Sequence, residues 1–199
     1  MNIVNIIDDD GNVISCDLDP KYTVNYLGDN NKIILHKDLN IKSLKMTLGS
    51  NMTIKIEKSR HKIENLVIGA LRSKGGGVYI GENFSCVDVQ FLLNEEVVIK
   101  VGRDCMFSAD IKIWASDAHS IIDLSDNRVI NQAKGVEIGN HVWVCENARI
   151  LKNTVIPSNC VVANSALVTG EFEEENVVLG GNPAKVIKRG IDWNRHAPS

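Results

Sequence analysis

The sequence predicts an all-β protein, built as a solenoid in which short parallel strands coil around a narrow core. The main observation is a strict six-residue period between residues 138 and 168. Branched aliphatic residues occupy one phase of it, at Ile138, Val144, Ile150, Ile156, Val162 and Val168. A period of six fits neither an α-helix nor a simply alternating strand. It is typical of a hexapeptide-repeat parallel β-helix, in which each hexad forms one short side of a coil.

Two further phases of the same repeat support this prediction. Small or medium side chains follow each of the first five aliphatics by four residues, at Val142, Ala148, Thr154, Cys160 and Ala166. We expect both of these phases to point inward. The residues just before the small ones are His141, Asn147, Asn153, Asn159 and Ser165. Because Asn tolerates a left-handed backbone, we expect these positions at the corners of the coil.

A recurring sequence word extends the solenoid toward the N-terminus. The word has four residues: an aliphatic residue, a glycine, any residue, and then Asn or Asp. Its fourth position is occupied by Asn30, Asn51, Asn83 and Asp104. The first two words are 21 residues apart, as are the last two, which fits coils of three hexads with a longer corner. We therefore predict a β-helix domain over 27–170, an N-terminal β segment or hairpin over 1–26 that caps it, and a short C-terminal tail over 171–199.

The repeat is interrupted once, after Ile113. The next in-phase aliphatic residue, Ile138, comes 25 positions later, so the intervening segment must leave the coil. A solenoid tolerates insertions at its corners, and such loops often carry function. We predict a protruding corner loop at about 116–134 and place the candidate active site there.

Composition narrows the possible functions. The chain has 199 residues, a net charge of −3 and 5% aromatic residues, and this balance argues against a general nucleic-acid binder. The N-terminus lacks the pattern of a signal peptide, and no apolar run is long enough for a transmembrane segment. Five cysteines without a CxxC pair favour a cytoplasmic protein with free thiols.

His119 is the candidate general base of the corner loop, because a neutral imidazole can take a proton from a hydroxyl near pH 7. Asp117 and Asp123 are close in sequence, and either could orient the ring. The alternative is a surface histidine that makes an ordinary hydrogen bond.

Trp143 precedes the inward Val144, so its indole should project outward and cover a neighbouring subunit, a ligand or the corner loop. Val155, Val161 and Leu167 share its phase, which we interpret as one apolar column at an oligomer interface.

The tail reads GGNPAKVIKR over 180–189. It joins a constrained turn to basic residues that could meet a phosphate-bearing ligand, or that simply form a solvated tail.

Together these features resemble the left-handed β-helix acyltransferases, the hexapeptide-repeat family. The resemblance covers about 78–193 and rests on the hexads, SDAHSIID around His119, IGNHVWV around Trp143 and GGNPAKVIK in the tail. The middle two motifs look most like those of bacterial enzymes that O-acetylate capsular polysaccharide, particularly polysialic acid.

The resemblance implies a left-handed coil and a homotrimer with active sites between subunits. It implies acetyl-CoA as co-substrate, a glycan acceptor and no metal. It makes His119 the catalytic base and places Trp143 beside the thioester. The remaining cofactor contacts would be Ala163, Ser165, Lys185 and Lys188.

Two departures from the family pattern concern the cofactor contacts. Cys145 stands where the motif after Trp143 usually has glycine, and 163–165 read Ala-Asn-Ser where the family has a glycine-rich loop. Bulkier residues there could alter how coenzyme A lies, and Cys145 suggests an acyl-cysteine route as a minor alternative. Two other functions stay open: a zinc lyase of the γ-carbonic anhydrase type, and a non-catalytic binding or scaffold protein.

Overall fold

The computed structural model describes residues 1–197 and shows a parallel β-helix. This part of the chain folds into 21 strands and contains no helix, and hence no helix long and apolar enough to cross a membrane. The strands form an eight-stranded sheet and a 13-stranded sheet, and the larger sheet bends so that the coil has three sides. The predicted all-β solenoid is confirmed.

We name the sides face 1, face 2 and face 3 in the order in which the chain visits them. Face 1 is the smaller sheet, formed by β1 (Ile3–Ile7), β2 (Val13–Ser15), β4 (Lys32–His36), β7 (Thr53–Ile56), β9 (Gly76–Ile80), β11 (Val97–Val101), β14 (Val136–Ile138) and β17 (Thr154–Ile156). β8 (Ser59–Ala70) and β10 (Ser85–Leu92) turn from face 2 into face 3 within one strand.

The other strands complete the two remaining faces. Face 2 also contains β5 (Leu39–Ile41), β12 (Met106–Phe107), β15 (Trp143–Val144), β18 (Val161–Val162), β20 (Val177–Gly181) and β21 (Ala184–Arg189). Face 3 also contains β3 (Tyr22–Tyr26), β6 (Leu44–Leu48), β13 (Ile111–Trp114), β16 (Arg149–Leu151) and β19 (Leu167–Val168). Neighbouring coils pair in parallel, as between β11 and β14.

The core is the stack of inward side chains predicted from the hexads. All six in-phase aliphatics, from Ile138 to Val168, are at most 2% exposed. The second inward column is equally buried, from Val142 to Ala166. Burial of this continuous aliphatic stack is the main stabilisation of a fold in which each coil contacts only its neighbours.

The corner prediction is also confirmed. His141, Asn147, Asn153, Asn159 and Ser165 all adopt a left-handed backbone, with φ between 53° and 61°. The fourth residues of the earlier words do the same, at Asn30, Asn51, Asn83 and Asp104. A side chain that bonds locally makes this conformation less costly than it is for most residues.

The single outward column proposed for the interface is wrong. Val155 lies on face 1, Val161 on face 2 and Leu167 on face 3, so one contact surface cannot cover all three. Residues six apart share an orientation, but each hexad occupies a different side of the coil. Residues on one face are instead a full coil apart, as the pairing of Trp143 with Val161 shows.

The two ends of the solenoid are finished by antiparallel pairs. β1 and β2 form a hairpin around Gly11. β1 also pairs in parallel with β4, and β3 with β6, so the sheets reach into the segment assigned to the cap. At the other end β21 folds back on β20, and the chain then runs along the corner between faces 1 and 2, where it contacts His141.

Candidate active site

The interruption of the repeat is an arm that leaves the corner between faces 3 and 1. β13 ends at Trp114 and β14 begins at Val136, on either side of the loop predicted at 116–134. An antiparallel bridge between Ile122 and Val129 gives the arm a short hairpin. Five aliphatic side chains on it are exposed, at Ile121, Ile122, Leu124, Val129 and Ile130.

Asn131 ties the base of the arm together. Its amide nitrogen donates to the Asp117 carboxylate and to the His119 carbonyl oxygen, each at 2.8 Å. Its amide oxygen accepts from the Ile121 backbone N–H at 2.7 Å. Asn131 was not predicted from the sequence, because its only signal there is its place at the end of the loop.

Lys152, on the next coil, holds the same group. Its ammonium lies 2.5 Å from the Asp117 carboxylate and also donates to the Asn131 carbonyl oxygen. The hydrogen bond from Lys152 is the largest cause that holds the pKa of Asp117 below its usual range, and it outweighs the opposing effect of burial. Asp117 is therefore an ionised anchor of the arm.

His119 is exposed and lines a cleft of about 180 Å³ with Asn131, Val129 and Glu95. Within residues 1–197 its ring makes no hydrogen bond to Asp117 or to Asp123. Asp117 is engaged by Asn131 and Lys152, and Asp123 accepts from the Ser125 hydroxyl at 2.6 Å. In a single chain the ring is free to meet a substrate, and its orientation by either carboxylate stays a prediction.

Trp143 projects outward from β15 on face 2, as the repeat phase predicts. It pairs in register with Val161, which pairs with Val178, which in turn pairs with Lys188. These residues form a column three strand spacings long, or roughly 14 Å at about 4.8 Å per spacing. One end of the column is an indole and the other is an exposed lysine.

The tail covers Trp143, which the sequence analysis did not foresee. The ring of Trp193 lies 6.1 Å from that of Trp143, tilted by 45°. Trp193 is itself only 7% exposed. The Nε1 atom of Trp143 is buried, and no atom within residues 1–197 accepts a hydrogen bond from it.

The remaining cofactor candidates lie around the same face. Ala163 directly follows β18 and packs against Gly180. A Cβ atom added at Gly180 would lie only 3.3 Å from the Ala163 Cβ. Ser165 is at the corner between faces 2 and 3, where its hydroxyl accepts from the Asn147 amide at 2.9 Å. Lys185 is exposed on β21, opposite Gly180.

Cys145 is a poor nucleophile in this setting. Burial raises the pKa of its thiol to about 11, and the thiolate is the reactive form. The acyl-cysteine alternative is therefore not favoured.

One chain brings together some of the predicted residues and separates others. His119 and Asp117 lie on the corner between faces 3 and 1, whereas Trp143 and Lys188 lie on face 2. In a three-sided coil, face 2 is the side opposite that corner. A site that uses both His119 and Trp143 must therefore take them from two copies of the chain.

Comparison with known proteins identifies relatives, although no family model matches the chain. It is 33% identical to the polysialic acid O-acetyltransferase of Escherichia coli O1:K1 over 135 residues, which is 68% of this chain and 44% of that protein. It is 30% identical over 170 residues to the polysialic acid O-acetyltransferase of Neisseria meningitidis, which covers 85% of this chain and 78% of that protein.

Solved structures show the same likeness. The crystal structure of the polySia-specific acetyltransferase NeuO superimposes with a TM-score of 0.79 at 31% identity, over 89% of this chain and 75% of that one. The polysialic acid O-acetyltransferase OatWY gives a TM-score of 0.71 at 26% identity, over 98% and 88%. The likeness thus extends over nearly the whole solenoid, and the chain belongs to the hexapeptide-repeat O-acetyltransferase family that includes the polysialic acid O-acetyltransferases.

Proposed function

We propose that this chain is a cytoplasmic homotrimer that transfers the acetyl group of acetyl-CoA to a hydroxyl of a sialic-acid-containing capsular polysaccharide. The observation that carries the proposal is the alignment with the meningococcal relative, which covers 85% of the chain and is named for this reaction. The presence of an exposed histidine on the arm and a tryptophan on a coil face adds the chemistry that such a transfer needs.

The separation of His119 from Trp143 supports an oligomeric site. If the corner of one copy packs beside face 2 of the next, both residues border the same cleft, and threefold closure repeats the arrangement. The exposed aliphatic side chains of the arm would then be covered by the neighbouring copy.

In the proposed reaction, His119 removes the proton of the acceptor hydroxyl while its oxygen attacks the acetyl carbonyl. The resulting oxyanion needs hydrogen-bond donors, and the unpaired N–H of Trp143 is one candidate besides backbone amides. Collapse breaks the carbon–sulfur bond and releases the CoA thiolate, which can recover the proton from His119. Holding both substrates in place supplies much of the acceleration.

The column on face 2 suits an extended acyl donor. The thioester would lie beside Trp143 and the thiol arm along Val161 and Ala163, toward Ser165 at the corner. The anionic end would meet Lys188 and Lys185, which act as mobile point charges. Cys145 is larger than the glycine usual in the family and would alter how the donor lies against this coil.

The zinc-lyase alternative is not favoured by the side chains present. His141, at a corner of the coil, has Nδ1 2.7 Å from Asp104 and Nε2 3.0 Å from the Trp193 carbonyl oxygen. Both ring nitrogens thus serve the fold. Among residues 1–197, Asp9, His36 and Asp38 come close enough together to hold a metal ion, but they lie at the N-terminal end, far along the chain from His119.

The experiment that tests the proposal measures release of free thiol from acetyl-CoA in the presence of polysialic acid, other capsular glycans and simple sugars. We expect thiol release that depends on a sialic acid polymer and saturates with its concentration. Release with a different glycan alone would correct the acceptor. No consumption of acetyl-CoA with any acceptor would overturn the proposal and favour a binding or scaffold role.

A further inference from the structure

The last described part of the chain makes contacts that the proposed reaction does not explain. Residues 192–195, which we call the C-terminal clamp, run along the corner between faces 1 and 2 after Gly190 turns the chain with a φ of 66°. Two hydrogen bonds fix the chain just before the clamp. The Ile191 backbone N–H donates to the Asn176 carbonyl oxygen at 3.0 Å, and the Asn176 side-chain amide donates to the Ile191 carbonyl oxygen at 3.1 Å. The clamp then lies beside Trp143, the one face 2 residue with a candidate role in the chemistry.

Trp193 is bound to His141 in both directions. Its indole N–H donates to the His141 carbonyl oxygen at 2.8 Å, and the His141 ring approaches the Trp193 carbonyl oxygen at 3.0 Å. The two rings stack almost in parallel, with centroids 4.2 Å apart and planes 10° apart. Since His141 is only two residues before Trp143, this contact fixes Trp193 relative to the strand that carries Trp143.

Arg195 anchors the far end of the clamp on the corner between faces 1 and 2. Its guanidinium donates to the Ser85 hydroxyl at 2.7 Å and to Asp104 at 3.2 Å, and to two backbone carbonyl oxygens. It also lies 5.7 Å from the Trp193 ring. Burial alone would raise the pKa of Asp104, but hydrogen bonds from His141 and Arg195 hold it below its usual range.

These contacts leave the two indoles in different states. The Trp193 N–H has an acceptor within the chain, whereas the buried Trp143 N–H has none. A buried donor without a partner costs free energy, so a structure that retains one needs a reason. The tail does not satisfy the Trp143 N–H, although it packs against the same ring.

We propose that Trp193 is a positioning residue, which fixes the tilt of the Trp143 indole on face 2 and thereby sets where the reacting acyl group lies against that ring. This inference rests on the proposed function. His141 and Arg195 hold Trp193 rigidly on the coil, and Trp193 in turn limits the rotation of Trp143. The clamp thereby gives the side chain of Trp143, on a short strand, a single orientation.

The kinetic test compares Trp193→Phe and Trp193→Ala with Glu174→Gln. The control removes an exposed charge partner of Arg189 on the same tail. We expect Trp193→Ala to lower kcat about 10- to 100-fold, the scale for displacing a reacting group by about 1 Å. KM for acetyl-CoA should change less than kcat. Trp193→Phe keeps the stack on His141 and should retain more activity, and Glu174→Gln should match the parent.

A spectroscopic readout separates positioning from simple packing. The chain contains three tryptophans, so an ¹⁵N-indole spectrum has few signals, which single Phe variants can assign. We expect Trp193→Phe to shift the Trp143 N–H signal and Glu174→Gln to leave it unchanged. Acetyl-CoA should shift this signal in the parent protein.

The outcomes are distinguishable. A parental kcat in Trp193→Ala, or a Trp143 signal that ignores Trp193→Phe, would overturn the clamp while leaving the transferase proposal intact. The proposal would also be overturned if the total activity of the variant fell only in proportion to the amount of folded trimer, with kcat per folded molecule unchanged. If the parent never consumes acetyl-CoA, the proposed function fails, and the positioning role fails with it, whatever the Trp143 signal shows.

Discussion

The arm around His119 and the face around Trp143 present a side chain in contrasting ways. His119 is exposed, and the polar contacts at its base involve the neighbouring Asp117 and its own backbone rather than its ring. Trp143 lies in a regular strand, and a second tryptophan covers it. The first arrangement leaves a ring free to approach a substrate, whereas the second fixes a ring against the coil.

The difference follows from where each residue lies in the repeat. An insertion at a corner escapes the packing of the coil, so its geometry depends on a few side chains such as Asn131 and Lys152. A residue on a face has its backbone fixed by both neighbouring coils, and only its side-chain rotation remains to be settled. We infer that a base which must exchange protons suits the arm, and that a fixed hydrogen-bond donor suits the face.

The largest effect is expected from His119→Ala. The turnover rate should fall by about 10² to 10⁴, the usual range for a lost general base. The fold and oligomeric state should persist, because the side chain is exposed and lies outside the hexads. Thiol release at saturating substrates measures the rate, with Ser125→Ala on the same arm as control. A variant within a few-fold of the parent would remove His119 from the mechanism.

Trp143→Phe tests the other half of the comparison. The substitution keeps most of the apolar surface but removes the N–H, so turnover should fall about 10² to 10³ if this donor serves the oxyanion. Melting temperature and solution mass should change little. Parental turnover would reduce Trp143 to a packing residue and would require backbone amides to stabilise the oxyanion.

The sequence predicted what the coil repeats and missed what joins distant parts of it. Inward aliphatics and left-handed corners follow from local chemistry, so His141 and Asn147 were assigned correctly as corner residues. The column of Val155, Val161 and Leu167 was wrong because a six-residue period gives orientation and not the face. The contact of Trp193 with Trp143 bridges 50 positions of the chain, and no periodic signal marks it.

The smallest effect is expected from Lys152→Met, which keeps the length of the side chain but removes its charge. Asp117 then loses the largest cause of its lowered pKa but keeps the hydrogen bond from Asn131. Because the folded-state pKa of Asp117 lies below the ordinary value of 3.8, its stabilisation of the arm is present above pH 3.8 and is lost as pH falls through the folded-state pKa. In the variant this loss should begin at a higher pH.

At neutral pH, Lys152→Met should lower turnover less than about fivefold, since a partly exposed ion pair contributes about 0.2–1 kcal/mol. The rate at which a protease cleaves the arm, followed between pH 3 and 7, measures how the arm loses stability as pH falls. Thiol release at pH 7 measures turnover. Lys112→Met is the matched control, because Lys112 pairs loosely with Asp110 at 3.9 Å, on face 3 and off the arm. A loss of turnover as large as that of His119→Ala would show that the charge of Lys152 is needed to hold the arm, and with it His119, in place. The arm would then be held as rigidly by its charges as face 2 is by its strands, and the contrast between the two regions would disappear.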